Sequence, residues 1–398
     1  MRLGYTQCME GHAQIEQDMQ RLVTALPHRA PNTESEHAAA EYLRQRFSEY
    51  TSDARLEEFD SCESWMLIAG SYYGEFALVS LIAFWFPWVA AIYGLIVFGL
   101  YLAEFTGYRA LRRLLPQYAS QNVVARFMAP KPTHTCVVLA NYDTPLVAPL
   151  TQETDWRWLR PVHTLIVLSM AAIIVSCIVQ GFGVFEDAQY PVVLAVRWFF
   201  LAVLIGACAT LLYNEFNSDY GPAGAANAAA AAALIQLARS LADDPSTHTD
   251  VLLAATGSKE AGLNGVRELM RQHGFDPANA YFINLEHIDT GALRPLAGEG
   301  LLATFRTPRF LLEAAGKACA AEHGNAAPLK SWRGWPTDAL VPLARGFATV
   351  TITGDAMRTP HAPDMPRGGP VSPERTQQVE QSVRVVRRIM EDMERVQL

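Results

Sequence analysis

Three long apolar stretches interrupt this sequence, and they limit the folds that it can adopt. They span residues 65–103, with Pro87 near the middle, residues 162–184 and residues 191–213. A helix needs about 20 apolar residues to cross a bilayer, so the second and third stretches each fit one crossing. We therefore predict membrane-embedded helices, the alternative being buried helices of a soluble protein.

The first stretch is long for one crossing and short for two. The short connection at 185–190 makes the other two stretches a hairpin that crosses twice. If the remaining segments form one domain, the first insertion must also return the chain to its starting side. We therefore predict two helices near 66–86 and 88–103, interrupted at Pro87. A re-entrant hairpin that never crosses is the alternative.

These insertions divide the remaining chain into three parts. One domain is predicted from residues 1–64, 105–161 and 214–398, with membrane hairpins at 65–104 and 162–213. Arginines near the membrane ends predict which side the domain occupies. On the domain side these are Arg109, Arg112, Arg113, Arg157 and Arg160. The opposite loop carries only Glu186 and Asp187 as charges, so we predict a multi-pass protein of the inner or plasma membrane with its domain in the cytoplasm.

Net charge limits the classes of partner that the protein can bind, and the cysteines indicate its redox compartment. The net charge is −8, and no stripe of lysine and arginine is present, so nucleic acid is not a predicted partner. The lipid bilayer is the predicted partner, together with peptides or a protein. The six cysteines form no CxxC pair, which is typical of unpaired thiols in a reducing compartment.

Strand and helix patterns alternate outside the hairpins. Predicted strands cover 55–59, 122–127, 136–142, 250–256, 281–285 and 348–352. Predicted helices cover 12–48, 228–241, 262–273, 310–319 and 372–396. This alternation predicts an α/β fold with a mostly parallel central sheet, flanked by helices and carrying the two transmembrane hairpins as insertions.

Polar residues stand where the predicted strands end, which is where such sheets bind ligands. They are Asn141 and Asp143, Lys259 and Glu260, Glu286, and His361 with Asp364 after the last strand. Asn227 opens the alanine-rich helix, where an N-cap role is the alternative to a site role. Lys259 could instead point to solvent, and His361 could be an ordinary loop residue.

The order of six short motifs resembles that of a known family. The motifs are Asn-Tyr-Asp (141–143), Gly-Ala-Ala-Asn (224–227), Lys-Glu-Ala-Gly-Leu-Asn-Gly (259–265), Asn-Leu-Glu (284–286), Thr-Asp-Ala (337–339) and His-Ala-Pro-Asp (361–364). They resemble the co-catalytic di-zinc aminopeptidases, which include bacterial leucine aminopeptidases and, more distantly, glutaminyl cyclases. The resemblance covers nearly all of the chain outside the hairpins and implies their peptidase fold.

The resemblance also implies a role for each position, and most positions depart from it. Glu260 and His361 keep the ligand type, and Glu286 replaces a ligating Asp. Asn141 replaces a ligating His, and Asn227 replaces the Asp that bridges both metals.

Four further positions complete the predicted site. Lys259 replaces the Glu that serves as general base, whereas Asp143, which orients the ligating His in the family, is retained. Asp338 and Asp364 are predicted to line the site. His287 and Asp289 are possible substitute ligands, but strand alternation is expected to turn His287 away from the face of Glu286.

These departures are unfavourable for zinc. A catalytic zinc takes three protein ligands and a water, and an ammonium repels a metal ion. We therefore predict no cofactor, or at most one weakly bound divalent metal such as zinc, with the Lys259 ammonium replacing the metal's charge.

Three functions remain open. The first is a membrane-anchored pseudopeptidase that binds peptide-like ligands or partners. The second is an active hydrolase with one metal on Glu260 and His361 and with Glu286 or Asp143 as base. The third is a transport component, for which Glu75 and Arg197 inside apolar stretches are the only signs. Whether the chain is an enzyme is left open.

Overall fold

A computed structural model describes most of the chain. It covers residues 2–26, 28–62, 64–104, 115–150, 156–183, 190–221, 225–324, 327–354 and 371–395.

The long helices fall where the sequence predicts them, with one division, and one short helix, at 340–344, was not predicted. They are α1 (Arg2–Gln20), α2 (Glu34–Ser48), α3 (Trp65–Ile82), α4 (Pro87–Glu104), α5 (Leu159–Gly181), α6 (Tyr190–Asn217), α7 (Ala225–Asp243), α8 (Asn264–His273), α9 (Arg309–His323), α10 (Leu340–Ala344) and α11 (Pro373–Arg395). The single helix predicted over 12–48 is two helices, because Thr33 begins a new one: its side chain accepts a hydrogen bond from the Glu36 amide.

The strands form one large sheet and two small ribbons. They are β1 (Ala54–Ser61), β2 (Tyr118–Phe127), β3 (His134–Asn141), β4 (Leu146–Val147), β5 (Asp219–Tyr220), β6 (Thr249–Thr256), β7 (Ala280–Glu286), β8 (Arg294–Pro295), β9 (Gly298–Glu299), β10 (Phe305–Arg306) and β11 (Ala348–Thr353). The large sheet has the order β1-β2-β6-β3-β7-β11-β8.

The predicted α/β fold is confirmed, and its sheet is mixed. Strands β6, β3, β7 and β11 are mutually parallel, whereas β1, β2 and β8 pair antiparallel at the two sides. Every residue of β6 and β7 is buried, as expected for strands covered on both faces. The parallel centre brings the carboxyl ends of β3, β6 and β7 to one edge.

The core lies on both faces of this sheet. On one face the alanine run at 228–233 of α7 is buried against the strands, and α1, α2, α9 and α11 complete that layer. On the other face, α8 and α10 cover apolar residues of β2, β3, β6 and β7. The small alanine side chains let α7 approach the sheet closely.

Within the described part of the chain, four helices are long and apolar enough to cross a membrane. Helices α3 to α6 contain 18, 18, 23 and 28 residues, and each includes an 18-residue window whose mean hydropathy is 1.3, 1.5, 2.5 and 2.3, respectively. The break predicted at Pro87 is present, and this proline is the first residue of α4, a favoured position for proline. Orientation remains a prediction, since Arg109, Arg112, Arg113 and the loop at 184–189 lie outside the described residues.

Each hairpin is inserted between two strands that pair with each other. Strand β1 pairs with β2 across the insertion of α3 and α4. Strand β4 pairs with β5, in a separate two-stranded ribbon, across the insertion of α5 and α6. Each insertion therefore joins strands that are neighbours.

Candidate functional site

Three strand ends meet around the ammonium of Lys259. Its Nζ lies 2.6 Å from Oε1 of Glu286, at the end of β7, and 3.4 Å from Oδ1 of Asn141, at the end of β3. All three residues are buried, with exposures of 7% for Lys259, 2% for Glu286 and 2% for Asn141. The interpretation that Lys259 points to solvent is therefore wrong.

Glu260 completes this group, which we call the Lys259 cluster (Asn141, Lys259, Glu260 and Glu286). Oε1 of Glu260 lies 3.5 Å from the Lys259 Nζ, and its side chain is 20% exposed. The ammonium thus lies between two carboxylates, one fully enclosed and one at the rim. An opposite charge at this distance stabilises both ionised groups.

Asp143 contacts two members of the cluster. Its Oδ2 accepts a hydrogen bond of 2.8 Å from the Glu260 amide, and its Oδ1 lies 3.2 Å from Nδ2 of Asn141. Burial raises the pKa of Asp143 to about 6, although the Glu260 amide and the Lys259 ammonium both favour the carboxylate. Asp143 therefore orients Asn141, in the way the resemblance implies for a histidine.

Asn227 faces the same region as a donor. It is 6% exposed, and its Nδ2 donates a 2.6 Å hydrogen bond to the backbone oxygen of Asp143. It lies inside the first turn of α7, which begins at Ala225. The amide therefore acts as a donor at the position where the resemblance implies a metal-bridging carboxylate.

Asp338, which is predicted to line the site, contacts the end of β6. It is fully buried, and one carboxylate oxygen accepts a hydrogen bond from the Thr256 hydroxyl at the end of β6. Burial raises its pKa to about 7, and the nearby charge of Lys259 limits that rise.

His287 does not turn away from Glu286, so that expectation is wrong. Strand alternation stops at Glu286 because His287 has a φ of 47°, which lies in the left-handed region. Its Nε2 is 3.2 Å from Oε1 of Glu286. Asp289 instead faces α11, with its Oδ2 3.5 Å from Nε of Arg375.

Glu36 is a buried neighbour of the cluster that sequence patterns did not single out. Its carboxylate accepts hydrogen bonds from the amides of Asn32 (2.7 Å) and Ser258 (2.9 Å), and burial raises its pKa to about 8. It thereby holds the residue that precedes Lys259. Thr33 and Glu36 have the spacing of a helix capping box, a local pattern that does not indicate a site residue.

Glu299 is a second buried carboxylate that the patterns missed. It is 1% exposed and accepts hydrogen bonds from the hydroxyls of Thr337, at 2.6 Å, and Thr351. Burial raises its pKa to about 7, and the charge of Glu286 adds to the rise. The bond to Thr337 ties Glu299 to the loop that carries Asp338.

We expect Glu299→Gln to stabilise the domain at pH 8 by about 1–3 kcal/mol. The folded pKa of about 7 lies above the ordinary value of 4.5, so the folded state loses stability as pH rises through this interval. An amide does not ionise, and its oxygen and nitrogen can still bond the two threonine hydroxyls. Urea unfolding at pH 5 and pH 8 measures the effect. Glu313→Gln is the control, because that side chain is 55% exposed. Equal pH slopes for the parent and Glu299→Gln would contradict the expectation.

The described residues do not fit a two-zinc centre. Among them, no group of three or more His, Cys, Asp or Glu side chains is arranged to hold a metal ion. A lysine ammonium already contacts Glu286, and Asn141 contributes an amide where the resemblance implies an imidazole. The predicted ligand His361 and the lining residue Asp364 lie outside the described residues.

The two charged residues inside the apolar stretches contact neighbouring helices. Arg197 is 1% exposed and donates to Oγ of Ser176 at 2.9 Å and to Oε1 of Gln180 at 2.5 Å. Glu75 accepts a hydrogen bond from the Tyr93 hydroxyl. These contacts join α6 to α5 and α3 to α4, which explains both residues by helix packing.

Comparison with known proteins agrees with this fold. The family model described as Peptidase family M28 matches residues 215–364. A zinc aminopeptidase from Bacillus subtilis is 11% identical, with a TM-score of 0.51 over 96% of this chain and 94% of that one. A glutaminyl cyclase from Porphyromonas gingivalis is also 11% identical, with a TM-score of 0.51 over 96% of this chain and 98% of that one. A search of curated proteins found no match.

These findings confirm the predicted resemblance to the co-catalytic zinc aminopeptidase family. The family model supplies the sequence match, and the two structures supply the fold. The chain therefore has a zinc aminopeptidase-like domain interrupted by two helical hairpins.

Proposed function

We propose that this protein is a membrane-anchored, aminopeptidase-like binding protein that does not hydrolyse peptides. The observation that carries the proposal is the position of the Lys259 ammonium, 2.6 Å from Glu286 and in contact distance of Asn141 and Glu260. Its relative from Bacillus subtilis is a zinc aminopeptidase. Here a lysine ammonium stands between the two carboxylates that remain of such a site.

The chemistry of the cluster supports binding over catalysis. A protonated lysine cannot take a proton from water, so the position of the general base carries no base. A divalent metal on Glu286 would stand beside the ammonium and be repelled by it. Asn227 donates to Asp143 and offers no charge to bridge two ions. What remains is a buried ion-pair cluster at the strand ends, where folds of this kind bind their ligands.

Restoring the family residues tests the proposal. The triple variant Asn141→His, Asn227→Asp and Lys259→Glu is expected to bind zinc after metal-free purification, while the parent protein is not. The matched control is the double variant Asn141→His and Asn227→Asp, in which Lys259 still repels the ion. Zinc content measured by elemental analysis and by calorimetric titration reports the difference.

The hydrolytic activity of the parent protein is a separate test of the proposal. Hydrolysis of aminoacyl fluorogenic substrates is expected to be absent with and without added zinc. Chelator-sensitive hydrolysis by the parent, lost in Glu260→Ala, would instead establish the alternative of a one-metal hydrolase.

A further inference from the structure

A polar cavity lies beyond the end of β7, and no member of the Lys259 cluster lines it. Its volume is about 620 Å³, within the roughly 300–1,000 Å³ that is usual for small-molecule sites. It is lined by the loop at 289–292, by His323 at the end of α9 and by residues between Ser372 and Gln381 at the start of α11. Most of these side chains are polar, so the cavity suits a ligand that forms hydrogen bonds.

The loop at 289–292 is held by the elements on either side of it. Gly291 has a φ of 76°, in the left-handed region, and its backbone oxygen accepts a 2.7 Å hydrogen bond from Nε2 of Gln378 on α11. A Cβ placed at Gly354, directly after β11, would lie 2.1 Å from the backbone oxygen of Thr290. The loop therefore packs closely against both α11 and the end of β11, which gives the cavity a defined wall.

Three side-chain oxygens of the cavity lining have no hydrogen-bond partner within the described part of the chain. They are Oδ1 of Asp289, Oε1 of Gln378 and Oε1 of Gln381. Asp289 is 7% exposed, and a buried oxygen without a donor is costly. A primary ammonium group carries three donors and a positive charge, which complements one carboxylate and two amide oxygens. The lining therefore matches the ammonium group of a ligand.

A cation of the protein stands beside Asp289 in the same lining. Nε of Arg375 lies 3.5 Å from Oδ2 of Asp289. Arg375 belongs to the first turn of α11, a helix of 23 residues. A guanidinium and a helix N-terminus both attract carboxylates. The neighbouring opposite charges of Asp289 and Arg375 thus complement an ammonium and a carboxylate that are attached to one carbon atom.

We propose that this cavity binds a free α-amino acid. Its ammonium group is placed at Asp289, Gln378 and Gln381, and its carboxylate is placed at Arg375. The inference concerns a site outside the Lys259 cluster, so it does not depend on whether that cluster is catalytic.

The charges of the lining favour an amino acid with a cationic side chain. Asp289 and Glu374 are acidic, and Arg375 is basic. With His323 neutral, the lining carries one net negative charge, which the ammonium and carboxylate of a neutral amino acid leave uncompensated. The second ammonium of lysine compensates it, so L-lysine is the probe that we choose.

Titration calorimetry of the full-length protein in lipid nanodiscs tests the inference. L-lysine is expected to bind with a stoichiometry of one. Two analogues each lack one of the recognised groups: 1,5-diaminopentane has no carboxylate, and Nα-acetyl-L-lysine has no α-ammonium. Both are expected to bind at least roughly tenfold more weakly, because each leaves charged or buried groups of the site without a partner.

Two variants assign the recognised groups to the residues of the cavity. Gln381→Met removes an acceptor oxygen that bonds no other described residue, and it is expected to lower the affinity for L-lysine roughly tenfold. Arg375→Gln is expected to lower the affinity for L-lysine by a similar factor but not that for 1,5-diaminopentane, which has no carboxylate to lose a partner. The control is Gln17→Met, since Gln17 is exposed on α1 and does not line the cavity.

Three results would overturn the inference. They are the absence of L-lysine binding to the parent protein, equal binding of Nα-acetyl-L-lysine, and an affinity for L-lysine that is the same in Gln381→Met and Gln17→Met.

Discussion

Lys259→Met is expected to lower the free energy of unfolding by about 3–5 kcal/mol at pH 8, the usual cost of breaking a buried ion pair by removing one partner. The variant leaves the Glu286 carboxylate, which is 2% exposed, without its ammonium at 2.6 Å. It also removes the cation that favours the charged forms of Asp143 and Asp338. Urea unfolding in detergent measures the loss.

The pH dependence of this loss separates charge from packing. The pKa values of Asp143 and Asp338 are raised to about 6 and about 7. For an acid with a raised folded pKa, folding stability falls as pH rises through that value, and Lys259 offsets part of this fall. The loss in Lys259→Met should therefore be smaller at pH 5 than at pH 8.

The matched control is Lys317→Met, since Lys317 is exposed on α9. It is expected to leave unfolding unchanged at both pH values. A loss in Lys259→Met that is equal at pH 5 and pH 8 would show that only side-chain packing is affected, and would contradict the role of the ammonium in the cluster.

Arg267→Met is expected to lower the melting temperature by roughly 10 °C, the equivalent of a few kcal/mol for a domain of this size. Arg267, on α8, contacts Glu104 at the end of α4: Nη1 lies 3.1 Å from Oε2, and Nη2 donates a 2.6 Å bond to the backbone oxygen. The two side chains are 5% and 8% exposed. Removing the guanidinium takes away the cation beside this buried carboxylate and a donor to the carbonyl oxygen at the end of α4.

The double variant Glu104→Gln and Arg267→Met completes the cycle. It is expected to be more stable than Arg267→Met alone, because the buried charge has been removed with its partner. Arg309→Met is the control, as Arg309 is 92% exposed in an ion pair on α9. Purely additive effects in the cycle would show that the two residues do not stabilise each other.

The first hairpin contacts the loops of the site where α3 begins. Ser61, just before α3, contacts Ser258 through its hydroxyl and accepts a 2.8 Å hydrogen bond from Asn264. The ring of Trp65 lies 4.5 Å from that of Trp335, in the loop before Asp338. The first insertion is thus packed into the same loops that hold Lys259 and Asp338.

Apolar runs and helix-breaking residues in the sequence predicted the positions of most long helices and central strands. Continuous apolar strands such as 250–256 and the break at Pro87 have local causes, namely burial on both faces and the missing amide of proline. The mixed sheet was not foreseen, because the direction of β1 and β2 depends on how a whole hairpin returns the chain. The carboxylates Glu36 and Glu299 were missed because nothing near them in the sequence distinguishes a buried glutamate from an exposed one.

The sequence by itself determined the apolar hairpins, the alternation of strands and helices and the order of the site motifs, since each depends on neighbouring residues or on spacing. Only the tertiary structure decided what the altered motifs do. It turned Lys259 inward onto Glu286, placed Asn227 as a donor to Asp143 and brought His287 back beside Glu286 through a left-handed backbone. These outcomes depend on contacts between residues far apart in the chain or on one backbone angle, and neither is encoded in a local pattern.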